Sequence, residues 1–164
     1  MKKVLLFIVI IFNISMVMCD SNNISQNDIN EMKEIVDKVL SYDKDYDDEV
    51  KGYIDQYTFN TCNYVVFYSY YIGDVILTKY ESEIKGLSKE DGKYNLCMVI
   101  NMEAQATTLE SDGEEEGYDT AEGNDVPVEV TLVKKKGNFY IESVKEYDSL
   151  EIAQNENKNF IKNN

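Results

Sequence analysis

VPVEVTLVKKKGNFYIESVKEY, residues Val126 to Tyr147, reads as two antiparallel strands joined by a tight turn. Val126, Val128, Val130 and Leu132 alternate with Pro127, Glu129 and Thr131, the period of two that marks a half-buried strand. Lys135-Lys136-Gly137-Asn138 supplies the turn, because Gly and Asn tolerate the positive φ that short hairpin loops demand. Phe139 and Ile141 resume on one face of the second strand, with Tyr140 and Val144 on the other.

Immediately before this hairpin lies ESDGEEEGYDTAEGND, residues 110–125, with eight carboxylates, three glycines and no positive charge. A calcium loop needs oxygen ligands at regular intervals closed by a bidentate Glu, and Asp112-Gly113-Glu114-Glu115-Glu116 lacks that spacing. The expectation is a mobile acidic loop between two strands and no metal site. Further upstream, Tyr94 to Ala106 is the longest alternating run, with Tyr94, Leu96, Met98, Ile100, Met102 and Ala104 on one side. It reads as a central strand whose other face, Asn95 to Gln105, meets solvent. Glu90-Asp91-Gly92 marks a turn, and Val75 to Ile84 has no decisive period.

NYVVFYSYYI, residues 63–72, is rich in aromatic and β-branched residues and is read as a strand buried on both faces, although periodicity alone does not exclude a buried helix. Two helices are expected ahead of it. Ile29, Met32, Ile35, Val36, Val39 and Leu40 recur at helical spacing after a Ser25–Asp28 start signal, giving a helix over 26–41. Tyr46, Val50, Tyr53, Ile54 and Tyr57 extend a similar stripe, giving a second over 43–57. After the hairpin, residues 151–164 read as a polar tail whose last ten residues fray.

The chain opens with Lys2-Lys3 and a run of apolar residues to Met18, followed at once by Cys19. Residues 1–19 resemble the leader of a bacterial lipoprotein precursor, in which such a Cys becomes the lipidated first residue. The resemblance, which covers residues 1–19 alone, implies Cys19 as the lipidation site; the polar residues 20–24 read as a tether, and 25–150 as an α+β domain held outside the membrane. Cleavage elsewhere and retention as an uncleaved anchor are the other outcomes. With Cys19 lipidated, Cys62 and Cys97 remain as an even pair, either joined in a disulfide or free as small buried hydrophobes.

Charge and absent residue types narrow the function. The formal net charge is −15, every basic residue is Lys, and His and Trp are missing. Such a field repels nucleic acid and anionic lipid. Without His there is no Ser-His or Cys-His machinery, and no GxxxxGK[ST] or GxGxxG cradle occurs. No catalytic residue, cofactor or metal ligand is assigned, and an enzyme is not expected.

The order of helices followed by strands, ending in VEVTLVKKKGNFYIESV, resembles the cystatin-like and nuclear transport factor 2-like α+β domains. The resemblance implies N-terminal helices packed on a curved antiparallel sheet. Within that layout the chain is expected to be a non-catalytic, exported or membrane-tethered domain that binds a protein or peptide. The alternative is a small-molecule site or minor enzyme in a tyrosine-lined concavity, with Tyr64, Tyr68 and Tyr70 as its polar handles.

Overall fold

Ser25 starts the first helix by accepting a hydrogen bond from the Asp28 amide at 3.1 Å, which satisfies one of the orphan donors of the first turn. The computed structural model describes residues 24–107 and 118–161. Helix α1 (Gln26–Leu40) buries Ile29, Met32, Ile35, Val36, Val39 and Leu40, the stripe expected from their spacing. Lys33 pairs with Asp37 on its half-buried side, and Asp37 also accepts from Ser82 at 2.6 Å and Tyr80 at 3.2 Å, fastening the helix to the sheet.

The second expected helix, over 43–57, does not form. Turns occupy most of it; of its apolar stripe Val50 and Ile54 enter the core, beside Tyr42, whereas Tyr57 is 80% exposed. The reason is the Asp side chains, which offer the backbone local alternatives. Asp47 accepts from the Glu49 amide at 2.8 Å and the Tyr42 hydroxyl at 2.8 Å. Helix α2 (Gln56–Cys62) starts later, capped by Asp55 on the Thr58 amide at 3.0 Å.

Residues 63–72, read from composition as a strand, form helix α3 (Tyr64–Ile72). Asn63 caps it through the Val66 amide at 2.8 Å, and Gly73 ends it at φ 87°. Local capping and tertiary packing outweigh a β propensity that is worth about 1 kcal/mol at most per residue.

Four strands, β1 (Val75–Glu90), β2 (Lys93–Thr107), β3 (Tyr118–Lys135) and β4 (Asn138–Glu146), pair antiparallel in sequence order. Both turns expected from sequence are present as two-residue loops: Asp91-Gly92 at φ 50° and 80°, and Lys136-Gly137 at φ 54° and 94°. Part of the expected acidic loop is strand: Tyr118 to Asp125 belongs to β3, with Tyr118 opposite Thr107 and Gly123 opposite Met102. Residues 110–117 of that loop lie outside the described residues. Register shifts in every strand pair bend the sheet. The shift at Glu142 also turns Val144 onto the same face as Ile141, where it packs against the main core and not on the opposite side as strict alternation implied.

The helices and the 42–55 segment fill one face of the sheet around Leu96, Met98, Ile100, Val130, Leu132, Phe139 and Ile141, all fully buried. This is the expected α+β arrangement of helices on a curved antiparallel sheet. The other face is not left to solvent. Helix α4 (Leu150–Glu156) and a 3-10 turn (Lys158–Phe160) fold back across it, so Leu150 and Ala153 pack as their apolar side chains suggest, while the reading of the last ten residues as frayed fails through Phe160. Ala153 and Phe160 cover Cys97 and Tyr147 in a second small core.

Gly86 sits where this segment crosses β1, and a Cβ there would stand 2.1 Å from the Asn159 carbonyl oxygen. Gly86→Ala is therefore expected to displace the 3-10 turn and to cost about 1–3 kcal/mol. Amide hydrogen exchange should accelerate at Phe160 and Ile161 and stay unchanged in α1.

Candidate functional site

The aromatic residues of α3 recur at the spacing of one helix face, and that face is where the molecule opens a cleft. Tyr64, Phe67, Tyr68 and Tyr71 form a continuous ladder, with ring centroids 6.4 Å apart for Tyr64–Tyr68, 5.8 Å for Phe67–Tyr68 and 5.2 Å for Phe67–Tyr71. β4 supplies the facing wall through Val144 and Glu146, and the end of α2 supplies Thr61 and Cys62. The cleft so enclosed holds about 200 Å³. Beyond the cleft the ladder continues into solvent, with Phe67 at its rim 39% exposed and Tyr71 72% exposed, while Tyr70, 71% exposed, points to another side of the helix. An apolar helix normally hides all its faces; this one leaves a contiguous aromatic face in water.

Electrostatically the cleft has one charged group. Glu146 accepts a hydrogen bond from the Tyr64 hydroxyl at 3.2 Å. No lysine among the described residues lies within ion-pair distance of it. The adjacent Lys145 projects to the opposite side of the strand and pairs with Glu156 at 2.6 Å. Much of Glu146 is open to solvent, yet loss of hydration raises its carboxyl above the usual range, the Tyr64 bond opposes this, and Asp148 adds to it. Burial pushes the Cys62 thiol up to about 12, with Asp55 adding to the effect, which disfavours the thiolate. Burial, and then the Glu146 charge, raise the Tyr64 hydroxyl as well.

An acid whose folded pKa is raised favours folding below its unfolded value and loses that contribution as pH rises through the folded one. Glu146→Gln is thus expected to melt at or slightly above the parent temperature at pH 7, with the difference closing by about pH 4, near the pKa of an unfolded Glu. Thermal melts at the two pH values check this.

No family model and no curated protein matches the sequence. Among solved structures, the chain is similar to the intermembrane space region of the chloroplast protein ARC6, with a TM-score of 0.50 and 9% identity over 78% of this chain and all of that one. A chain described as a variant of Rd1NTF2_05 aligns over 73% of this chain with a TM-score of 0.40 and 15% identity. The likeness to the ARC6 region is one of fold alone.

The residues singled out from sequence separate in the structure. Tyr64 and Tyr68 meet in the cleft, whereas Tyr70 points away into solvent. Cys62 and Cys97 are both free, and the disulfide left open from sequence is not formed. Cys62 packs on the helical side of the sheet and Cys97 on the far side, beneath Phe160. Cys19 and the leader lie outside the described residues. Sequence reasoning missed Phe67, Tyr71 and Glu146; Glu146 reaches the cleft only because the bulge at Glu142 turns the end of β4, and strict alternation gives no signal for it. A broader depression of about 710 Å³ on the far face is lined by Lys93, Asn95, Thr131 and Glu142. Its polar groups largely satisfy one another, Lys93 with Glu142 at 2.7 Å and Thr131 with Asn95 at 3.1 Å. Among the described residues no group of three or more acidic or sulfur side chains could hold a metal ion, and no helix is long and apolar enough to cross a membrane.

Proposed function

We propose that this chain is a non-catalytic binding domain, held on the extracytoplasmic side of a membrane by its N-terminal segment, that recognises a protein or peptide through the aromatic face of α3. The observation that carries the reading is the exposure of Phe67 and Tyr71 on one face of a segment, residues 63–73, with no charged residue at all. Tyr and Phe in contiguous exposed patches are the residues that supply most interface energy. The apolar leader ending at Cys19 supports export and tethering, by lipid or by an uncleaved anchor. A small-molecule site is the weaker reading, because about 200 Å³ falls below the roughly 300–1,000 Å³ of typical ligand pockets.

A photoreactive phenylalanine analogue installed at position 71 tests the docking face in whole cells. A discrete adduct is expected from position 71 and none from position 90, which lies at the end of β1. Equal labelling from both positions, or from neither, overturns the assignment of this face. Mass spectrometry of the mature N-terminus tests the tether, with a diacylglyceryl Cys19 expected for lipid anchoring.

A further inference from the structure

We infer that the cleft between α3 and β4 anchors a basic peptide segment, one of whose lysine or arginine side chains enters beside the Tyr64–Tyr68 pair to meet Glu146. This rests on the docking face proposed above and names the chemistry of its partner. Four observations converge on a cation. Glu146 places a carboxylate at the cleft, and its one hydrogen bond among the described residues, from Tyr64, engages Oε2 and leaves Oε1 for an incoming donor. Aromatic rings line the wall opposite, and their faces attract ammonium and guanidinium groups. No basic residue occurs between Lys51 and Lys79, so the chain brings no positive charge of its own on the two helices that form the site. The volume of about 200 Å³ suits one side chain, given that a cavity of roughly 150 Å³ admits benzene.

Charge also decides among occupants. A second copy of this chain carries the same −15, and an anionic lipid surface carries the same sign, so both are repelled. A basic amphipathic segment is drawn in by the field, lays its apolar residues on Phe67 and Tyr71, and places one cationic side chain at Glu146.

The chain has no Trp, so a peptide carrying one gives a clean fluorescence signal. The probe is a 15-residue helical peptide of Leu, Ala and Lys with a single Trp, titrated onto the full-length chain in phosphatidylcholine nanodiscs, with protein-free nanodiscs subtracted. Expected is saturable binding that Glu146→Gln weakens about tenfold, while Glu90→Gln, the same charge change far from the cleft, weakens it less than about twofold. Tyr71→Ser should weaken it comparably, and the peptide with every Lys changed to Gln should lose it. Circular dichroism and melting temperature confirm that each variant is folded. Equal effects of Glu146→Gln and Glu90→Gln overturn the inference, since only the overall field would then matter. Loss with Tyr71→Ser but not with Glu146→Gln overturns the cation site and leaves the docking face standing. No effect of either, no saturable binding, or self-association that Tyr71→Ser abolishes overturns it too.

Discussion

Asn63→Ala is expected to destabilise the fold by about 3–5 kcal/mol, a large share of the roughly 5–15 kcal/mol a domain has. Asn63 is the buried polar side chain of the described residues, fully enclosed. Its amide nitrogen donates to the carbonyls of Val39 at 2.8 Å and Tyr42 at 2.9 Å, which lie at and just beyond the end of α1. Its amide oxygen accepts from Val66 and starts α3, while its backbone amide donates to Phe59 and closes α2. One residue therefore holds three helix termini together. Alanine removes a cap worth about 1 kcal/mol and leaves two interior carbonyls without a donor, at about 1–3 kcal/mol each.

Urea unfolding followed by circular dichroism measures the loss, and a fall in Tm of roughly 10 °C should accompany it. Asn63→Asp separates the two roles. It keeps the oxygen that caps α3 but aims a second acceptor at the carbonyls of Val39 and Tyr42, so it should be at least as damaging as alanine at pH 7. The new carboxyl would have its folded pKa raised, so part of the loss should be regained as pH falls and the acid can donate. A loss under about 1 kcal/mol for both variants would mean that those carbonyls find other donors.

That clamp also shows where the sequence was legible and where it was not. The hairpin at 126–147 and α1 could be read because burial on one face imposes a period, and because Gly137 and Ser25 stand at the positions their turn and cap require. Residues 63–72 were misread because aromatic and β-branched residues are apolar on every side, so no period distinguishes a strand from a short helix. The informative residues were the brackets, Asn63 before Val66 and Gly73 after Ile72. That misreading carried into the site: on a strand Tyr64, Tyr68 and Tyr70 share a face, whereas on a helix Tyr64 and Tyr68 align with Phe67 and Tyr71, and Tyr70 turns away. The bulge at Glu142 was equally invisible, since one extra residue changes which side chains face the core without altering composition. The C-terminal segment looked polar because its contribution comes from two residues, Ala153 and Phe160, amid asparagines.

Phe160→Ala should expose how much that segment does. Phe160 is 2% exposed and meets Tyr147 edge to face, centroids 5.5 Å apart. Tyr147 is held by Glu129 at 2.6 Å, and Asn157 reaches the Cys97 sulfur at 3.5 Å. Removing a buried ring of this size costs about 3–5 kcal/mol. Because Phe160 belongs to a small core separate from the main one, the cost should fall mainly on local opening of the tail and not on the whole fold. Cys97 reports that opening. It is fully buried, and burial followed by the Glu129 charge pushes its thiol up to about 12, so in the native protein it reacts slowly. About 3 kcal/mol off the opening free energy should speed labelling by an aromatic disulfide about a hundredfold. Peptide mass mapping separates Cys97 from Cys62, whose rate should not change because it packs on the other side of the sheet. Gly86→Ala should accelerate Cys97 in the same direction without removing any apolar group, by forcing the Asn159 backbone away. Should both cysteines accelerate together in Phe160→Ala, the tail and the main core unfold as one unit, and the two-core description of this sheet is wrong.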